Sequence, residues 1–347
     1  MPKLLFKDHS HSWRTGHDFP DIPLTKVSWD TAPDRAIAFV FFGHVNIDYD
    51  GSSIAYAPDG HVPIPDDDLQ NAWSEEKGWF GVFALPANDP LVTNGTVLID
   101  KKPHLLHHGK YPAIQRAENG DPHPGYYVST TPHAMGPQYM QTSYIDASEI
   151  SFGALSGGLK ALGVTLGDYA IAVRHDVNLQ SPFYYADAGG ANYALGECSH
   201  KVGKNLGGTG RGNQFNNNYP VSFVVFPESG DQDPLGIASV DDAQLTKRLQ
   251  PLLVALSRAD NPEDLPLLMG FNEVEPTNRP KGTSKLVDFH AHPTHPRPKN
   301  YATILQGLRT YGYNFTLTTG AAAGATAGAG AAAGPVPTSA AAKPGTP

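Results

Sequence analysis

The chain of 347 residues contains one cysteine, Cys198, so no disulfide can form within it and the fold depends on packing alone. Lysine and arginine number 25 against 34 acidic residues, and the net charge of −9 argues against a general nucleic-acid-binding protein. No apolar run reaches the length that crosses a bilayer, and the first residues show no apolar segment typical of a signal peptide. We therefore expect a soluble protein that binds neither nucleic acid nor membrane.

Glycine and proline are abundant instead, with 36 and 31 residues, and this frequency indicates many turns and few long helices. We therefore expect a mainly β protein. Residues 33–318 are predicted to form a single domain, preceded by a polar arm over the surface at residues 1–32. Residues 319–347 contain little except alanine, glycine and proline, a composition typical of a disordered tail.

Short apolar runs of β-type residues predict the strands. They lie at residues 36–42, 79–86, 95–100, 125–131, 144–150, 169–175, 182–187 and 219–227. Polar residues between the runs at 169–175 and 182–187 indicate a hairpin. Leucines at helical spacing in residues 240–257 predict one amphipathic helix near the C-terminal side. Strands without regular intervening helices favour a barrel or a sandwich.

The stretch "YYADAGGANYALGEC" at residues 184–198 places Asp187 and Glu197 ten positions apart. Asp187 ends an apolar run, and the glycines between the two acids let the backbone pass close to a ligand. Hydrolysis of a glycosidic bond needs one protonated carboxyl and one ionised carboxylate. From these residues alone two interpretations stay open, an acid/base pair across a groove or a turn with two solvated acids.

A second acidic segment, residues 45–60, carries Asp48, Asp50 and Asp59 among glycines. Its start resembles a calcium loop, but the twelfth position is Asp59 where an EF-hand has glutamate. The other interpretations are a turn whose aspartates bind their own backbone and a wall of an acidic groove. The groove is the interpretation that links this segment to the first pair of acids.

Other candidate sites are weaker. Two histidine-rich segments fit no zinc-binding spacing. They contain His104, His107, His108, His290, His292 and His295, with Asp288 beside the last three. A nucleophilic Cys198 is disfavoured because the neighbouring carboxylate of Glu197 raises a thiol pKa. The glycine-rich residues 207–212 lack the lysine of a phosphate-binding loop. We expect neither a metal nor a cofactor.

Six segments, taken in order, resemble the chitosanases of glycoside hydrolase family 75. They are "NIDYDG" (46–51), "YVSTT" (127–131), "YIDASEI" (144–150), "GDYAIAV" (167–173), "YADAGGANYALGE" (185–197) and "VSFVVFP" (221–227). The resemblance covers residues 37–227. Its most specific part is an aspartate and a glutamate on either side of a glycine-bearing turn, met by Asp187, Gly189, Gly196, Glu197 and Ser199.

The resemblance implies that Asp187 and Glu197 are the catalytic carboxylates of an endo-acting enzyme that cleaves β-1,4-linked glucosamine polymers with inversion. It also implies a six-stranded double-psi-like β-barrel with long loops, and secretion from the cell. We assign Glu197 as general acid and Asp187 as the general base that activates water. Inversion predicts carboxyl groups about 6.5–9.5 Å apart, whereas retention predicts about 5–5.5 Å.

Candidate substrate-binding residues are acids that attract a polycation and aromatic rings that stack on sugar faces. They are Asp48, Asp50, Asp59, Tyr56, Trp79 and Tyr193. Core packing is an equally open interpretation for each ring. We expect a monomer whose partner is chitosan.

Two other functions stay open at this stage. One is a lytic transglycosylase that acts on peptidoglycan with a single aspartate, for which Glu197 would be dispensable. The other is a non-catalytic glycan-binding protein on the same fold. Salt bridges from arginines such as Arg174 or Arg211 to the acids would indicate this second alternative.

Overall fold

The computed structural model describes residues 2–8, 24–43, 45–58, 69, 72–174, 179–189, 195–208, 221–230, 240–257, 259, 271–272 and 288–289. Several residues of the sequence-based predictions lie outside these ranges. They are Asp59, Tyr193, Arg211, His290, His292, His295 and the tail 319–347.

The described residues form fifteen strands and four α-helices. The strands are β1 (Leu4–Asp8), β2 (Leu24–Trp29), β3 (Ala38–Gly43), β4 (Asn46–Asp48), β5 (Trp73–Ser74), β6 (Gly78–Trp79), β7 (Ala84–Pro86), β8 (Lys110–Pro112), β9 (Phe152–Ala154), β10 (Tyr169–Arg174), β11 (Leu179–Asp187), β12 (Glu197–Ser199), β13 (Val221–Val225), β14 (Phe271–Asn272) and β15 (Asp288–Phe289). The helices are α1 (Pro90–Thr93), α2 (Gly157–Ala161), α3 (His200–Asn205) and α4 (Asp242–Ser257). Short 3-10 helices cover Pro103–Leu105, Ala117–Asn119 and Gln141–Ser143.

Nine strands make one mixed sheet in the order β1-β2-β3-β13-β10-β11-β9-β12-β4. Neighbours are antiparallel except at β11–β9 and β12–β4, which are parallel. The remaining strands pair as β5–β6, β7–β8 and β14–β15. The mainly β class is therefore confirmed. Within the described residues the large sheet does not close into a barrel, so the double-psi-like barrel stays a prediction.

The core lies where the longest apolar runs pair. The hairpin of β10 and β11 runs from Tyr169 opposite Tyr184 to Arg174 opposite Leu179, which confirms the hairpin expected from the sequence. On the other side β13 joins β10 to β3, and the rings of Phe41 and Phe223 stack with centroids 4.8 Å apart.

Helix α4 covers this part of the sheet and confirms the amphipathic helix predicted for residues 240–257. It packs on β11 and β10 through leucines that are fully buried. These are Leu245, Leu249 and Leu253. No helix among the described residues combines the length and the hydropathy that crossing a membrane requires.

The sheet extends into the region for which the sequence predicts a surface arm. Strand β2 pairs with β3, and β1 pairs with β2, so residues 4–8 and 24–29 belong to the sheet. Leu24 and Val27 are fully buried. Without β2, the apolar strand β3 would expose an unpaired edge, which folded proteins avoid. The domain boundaries remain a prediction.

The strands predicted at residues 95–100, 125–131 and 144–150 are not regular strands. The first two form single β-bridges, Ile99 with Ala113 and Tyr127 with Ile114. Residues 144–150 form turns, in which Asp146 accepts a hydrogen bond from the backbone of Ser148. Such a side-chain bond offers the backbone an alternative to a sheet ladder.

Leu249→Ala tests the packing of α4. Truncation of a fully buried leucine leaves a cavity, and we expect a loss of about 2–5 kcal/mol in the free energy of unfolding. Lys247→Ala, on the exposed face of the same helix, is the control and should change stability by less than about 0.5 kcal/mol. Urea denaturation followed by circular dichroism measures both. Equal losses in the two variants would contradict this packing.

Candidate active site

The two strands that carry Asp187 and Glu197 flank the same short strand, β9. Asp187, the last residue of β11, is level with Ala154 in the parallel pairing. Cys198 is opposite Gly153 in the antiparallel pairing of β12 with β9, so the preceding Glu197 is also level with Ala154. Residues level with one another across a sheet present their side chains on one face. The two acids therefore lie on either side of Ala154, on backbones about 9.5 Å apart at ordinary strand spacing.

Gly153, the middle residue of β9, has no room for a side chain because large rings of β11 pack directly against it. A Cβ atom on Gly153 would lie 2.8 Å from a ring carbon of Phe183 and 3.2 Å from one of Tyr185. Both rings are almost fully buried, so neither can move aside cheaply. The next residue, Ala154, is level with both acids, and its side chain is only a methyl group. A side chain this small leaves the sheet face between the two acids uncovered.

Asp48 and Asp50 join the first two acids from strand β4. Asp48 ends β4 and is level with Ser199 on β12. Oxygen atoms of Asp48, Asp50 and Asp187 lie within 4.8 Å of one another. In the sheet order β4 is three strands away from β11, a distance of about 14 Å in a flat sheet. The sheet must therefore curl sharply here, and the curl brings the strand ends together.

The turn after β4 is fixed by buried polar groups. The backbone amide of Asp50 donates to Asp48 Oδ1 at 2.8 Å, a local bond typical of aspartate turns. Gly51 follows with φ of +85°, a conformation that favours glycine. Its amide donates to Ser129 Oγ at 2.9 Å, and its carbonyl accepts from Gln141 Nε2 at 2.7 Å. These contacts hold the two aspartates in place from a distant part of the chain.

Burial and the neighbouring carboxyl groups raise the pKa values of the two aspartates in this turn. Burial is the main cause that raises the pKa of Asp48 well above its ordinary value, and the charge of Asp187 is the next. Burial and Asp187 also raise the pKa of Asp50 well above its ordinary value. Tyr56 opposes this second shift, because its hydroxyl donates to Asp50 Oδ1 at 2.6 Å. Like charges at such short range cannot all be ionised together.

Asp187 and Glu197 have different surroundings. Burial raises the pKa of Glu197 to about 7, and the charge of Asp187 adds to this effect. Burial also raises the pKa of Asp187, which is 8% exposed. Two hydrogen bonds oppose the rise, one from the amide of Ala188 at 2.6 Å and one from the Asp48 carboxyl. A hydrogen bond between two carboxyls needs one shared proton, so Asp48 and Asp187 titrate as a pair.

His133 belongs to the site although nothing in the sequence indicated it. Its charge lowers the pKa of Asp187, against the effect of burial. Its Nε2 atom is enclosed and has no hydrogen-bond partner within the described part of the chain. An enclosed nitrogen without a partner costs free energy unless a ligand or water completes it. The contact joins positions 133 and 187, which no local pattern could have linked.

The described residues contain one group close enough to hold a metal ion, the oxygens of Asp48, Asp50 and Asp187. Carboxylate oxygens are the ligands that Ca²⁺ prefers. The expectation of a site without a metal stays a prediction. His104, His107 and His108 form no such group. The His107 ring stacks on Trp73 at 3.6 Å, and His108 Nε2 contacts the Glu75 carbonyl at 2.7 Å.

The two described aromatic candidates for substrate binding, Tyr56 and Trp79, have different surroundings. Tyr56 is 5% exposed and packs in the core, so its ring acts on the site through its bond to Asp50. Trp79 is half-buried and lines a cavity with Thr131 and Pro132. A larger cavity of about 590 Å³ lies along α4 and contains none of the clustered acids. Cys198 is buried, and burial raises its thiol pKa well above the ordinary value, which makes it unreactive.

Asp187→Asn tests the electrostatic link between the two acids. Removal of the Asp187 charge takes away the second cause of the raised Glu197 pKa. We therefore expect Glu197 to titrate below 7 but above its ordinary value of 4.5, because burial remains. Carbon-13 NMR of the glutamate carboxyls follows this titration. Asp30→Asn, on the exposed surface, is the control and should leave Glu197 unchanged. An unaltered Glu197 titration in Asp187→Asn would contradict the link.

The cluster can carry out general acid and base chemistry at near-neutral pH. Glu197 keeps a proton up to about pH 7, whereas Asp187 is the acid whose carboxylate receives hydrogen bonds and a nearby cation. General acid and base chemistry uses a carboxyl that keeps its proton beside one whose ionised form is stabilised by hydrogen bonds. Comparison with known proteins found no family model that matches this chain and no curated protein that matches it.

Proposed function

We propose that this protein is an endo-acting glycoside hydrolase that cleaves chitosan, a β-1,4-linked glucosamine polymer, as the resemblance to glycoside hydrolase family 75 implies. The observation that carries the proposal is the pair Asp187 and Glu197 on either side of Ala154, with a third carboxyl that hydrogen bonds Asp187. The glycosidase reaction needs an acid and a base on opposite sides of the bond that breaks.

In the proposed reaction the sugar chain crosses the face of β9 above Ala154. Glu197 donates its proton to the glycosidic oxygen as the bond to the anomeric carbon breaks. Asp187 takes a proton from a water molecule, whose oxygen attacks that carbon from the opposite face. The product has the inverted configuration, the proton from water rests on Asp187, and solvent restores both groups. Inversion remains a prediction, and it requires carboxyl groups about 6.5–9.5 Å apart to leave room for this water.

The substrate's charge fits the site. Chitosan carries ammonium groups wherever its amines are protonated, and a cluster of acids raises the local concentration of a polycation. Asp48 and Asp50 bring two more carboxyl groups to within 4.8 Å of Asp187. The charges that act on the four acids are one another's and, on Asp187, that of His133. No arginine among the described residues is one of these charges. Arg211 lies outside the described residues, so the experiments below decide between the hydrolase and a non-catalytic glycan-binding protein.

The six-stranded double-psi-like barrel is part of the same proposal. Its support is the sharp curl that brings the ends of β4 and β11 together. The mixture of parallel and antiparallel neighbours around β9 also agrees with a small barrel of that kind. In such a barrel the carboxyl cluster would lie at one rim, where strand ends converge.

Asp187→Asn and Glu197→Gln are the direct test of the proposed reaction. Each removes one proton-transfer group, and we expect each to lower reducing-end release from chitosan by at least about 100-fold. The substrates are chitosan, chitin and peptidoglycan, and chitosan should be cleaved fastest. Folding of each variant is checked by circular dichroism, because both side chains are at least half-buried.

Glu76→Gln and Asp30→Asn are the matched controls, since both acids are exposed and distant in sequence from the cluster. They should retain full activity. Chitosan hydrolysis that survives both site variants would overturn the assignment. Anhydro products from peptidoglycan with a dispensable Glu197 would indicate the transglycosylase. Chitosan binding without any turnover would indicate a glycan-binding protein.

The dependence of kcat/KM on pH should be bell-shaped. Glu197 must keep its proton, so activity should fall as pH rises through about 7. Asp187 must be ionised, so activity should also fall as pH drops through a pKa above the ordinary aspartate value of 3.8. His133→Gln removes a cation that lowers this pKa, and should move the acidic limb alone to higher pH.

The ionisation of the substrate's amines is identical for the wild type and for His133→Gln, so the comparison isolates groups of the protein. An acidic limb that stays in place, or that moves to lower pH, would contradict the role given to His133. A basic limb that moves by the same amount would show that the substitution disturbs the whole cluster.

A further inference from the structure

A cavity of about 280 Å³ lies beside the carboxyl cluster, and its lining contains a basic residue where the cluster contains acids. Its volume is near the lower end of small-ligand pockets, about 300–1,000 Å³. Among the described residues that line it there is no carboxylate and one charged residue, a lysine. The groups that matter to a ligand are Trp79, Phe83, Lys110, Thr131, Gln138 and Tyr144.

The cavity adjoins the cluster through the segment that contains His133. Thr131, Pro132 and Ala134 all line the cavity, and the charge of His133 between them acts on Asp187. Thr131 also reaches the turn of the clustered acids, because a Cβ atom on Gly51 would lie 2.8 Å from its methyl group. One wall therefore separates the cavity from the acids, and a sugar chain several units long can contact both.

Trp79 is held as a rigid wall of the cavity. Its indole nitrogen donates to the carbonyl of Lys110 at 3.2 Å, and its ring packs edge-on against His107 with centroids 4.8 Å apart. Because the ring is fixed before a ligand arrives, binding costs little side-chain entropy. The surface that lines this cavity is more polar than apolar, and its hydroxyl and amide groups can bond to those of a sugar.

The lining selects against a charged sugar. A protonated glucosamine would meet the ammonium group of the exposed Lys110 with no carboxylate in the lining, and solvent limits this repulsion to a modest preference. An N-acetylated unit has no charge. Its amide can bond to Thr131 or Gln138, and its methyl group can contact Phe83.

We propose that this cavity is a sugar subsite for an N-acetylated unit, so that the preferred substrate is partially acetylated chitosan with a free amine at the carboxyl cluster. This inference rests on the proposed function, because the other sugar units are taken to bind at the carboxyl cluster where the chain is cleaved. It adds a fixed position, relative to the bond cleaved, at which an acetyl group is favoured.

Binding is measured separately from hydrolysis by NMR of the Trp79 indole group. The signal is assigned by its loss in Trp79→Phe. We expect N-acetylglucosamine to shift this signal with at least about threefold higher affinity than glucosamine at neutral pH. Lys110→Glu should reverse the preference, because the new carboxylate attracts the amine. Lys110→Met, which keeps the length without the charge, should abolish the discrimination without reversing it.

The products of partially acetylated chitosan provide the second measurement. We expect mass spectrometry to find acetylated units enriched at one fixed distance from the newly formed chain ends, and Lys110→Glu to remove that enrichment. Random placement in the wild type, or equal affinity of the two sugars at Trp79, would overturn the subsite. Failure of the proposed function gives a different result, since no chitosan would then yield reducing ends while the Trp79 signal still reports binding.

Discussion

Four carboxyl groups in a half-buried space are the constraint on which the rest of this site depends. Their mutual repulsion and their burial both favour protonation, and the pKa of every one of the four is raised. A proton between Asp48 and Asp187 lets two of them stay in contact. A cluster of this kind opposes folding unless other interactions hold the strand ends together.

Small residues and buried hydrogen bonds hold these strand ends together. Gly153 lets the rings of β11 lie against β9, and Ala154 is level with both Asp187 and Glu197 in the sheet. The turn of the other two acids is anchored by Ser129 and Gln141, each of which is fully or almost fully buried. Apolar packing between the sheet and α4 provides the stability. The mutually repelling carboxyl groups lie at the ends of the sheet's strands.

Part of this arrangement could be predicted from the sequence. The hairpin of residues 169–187, the strand at 221–225 and helix α4 have apolar patterns that read locally, and the structure contains all three. Two strands near the N-terminus were missed, because their apolar residues are few and their burial depends on the edge of β3. The approach of Asp48 to Asp187 and the position of His133 depend on the curl of the whole sheet, which no local pattern encodes.

The division of roles between the two central acids follows from their partners. Burial raises the pKa of Asp187, and three groups oppose the rise: the amide of Ala188, the hydrogen bond from Asp48 and the charge of His133. The causes that act on Glu197 are burial and the charge of Asp187, and both favour its protonated form. Ionisation of Asp187 therefore helps Glu197 to keep its proton. In the proposed reaction the charge of the base, Asp187, raises the pKa of the acid, Glu197. One cluster therefore favours both protonation states that this reaction requires.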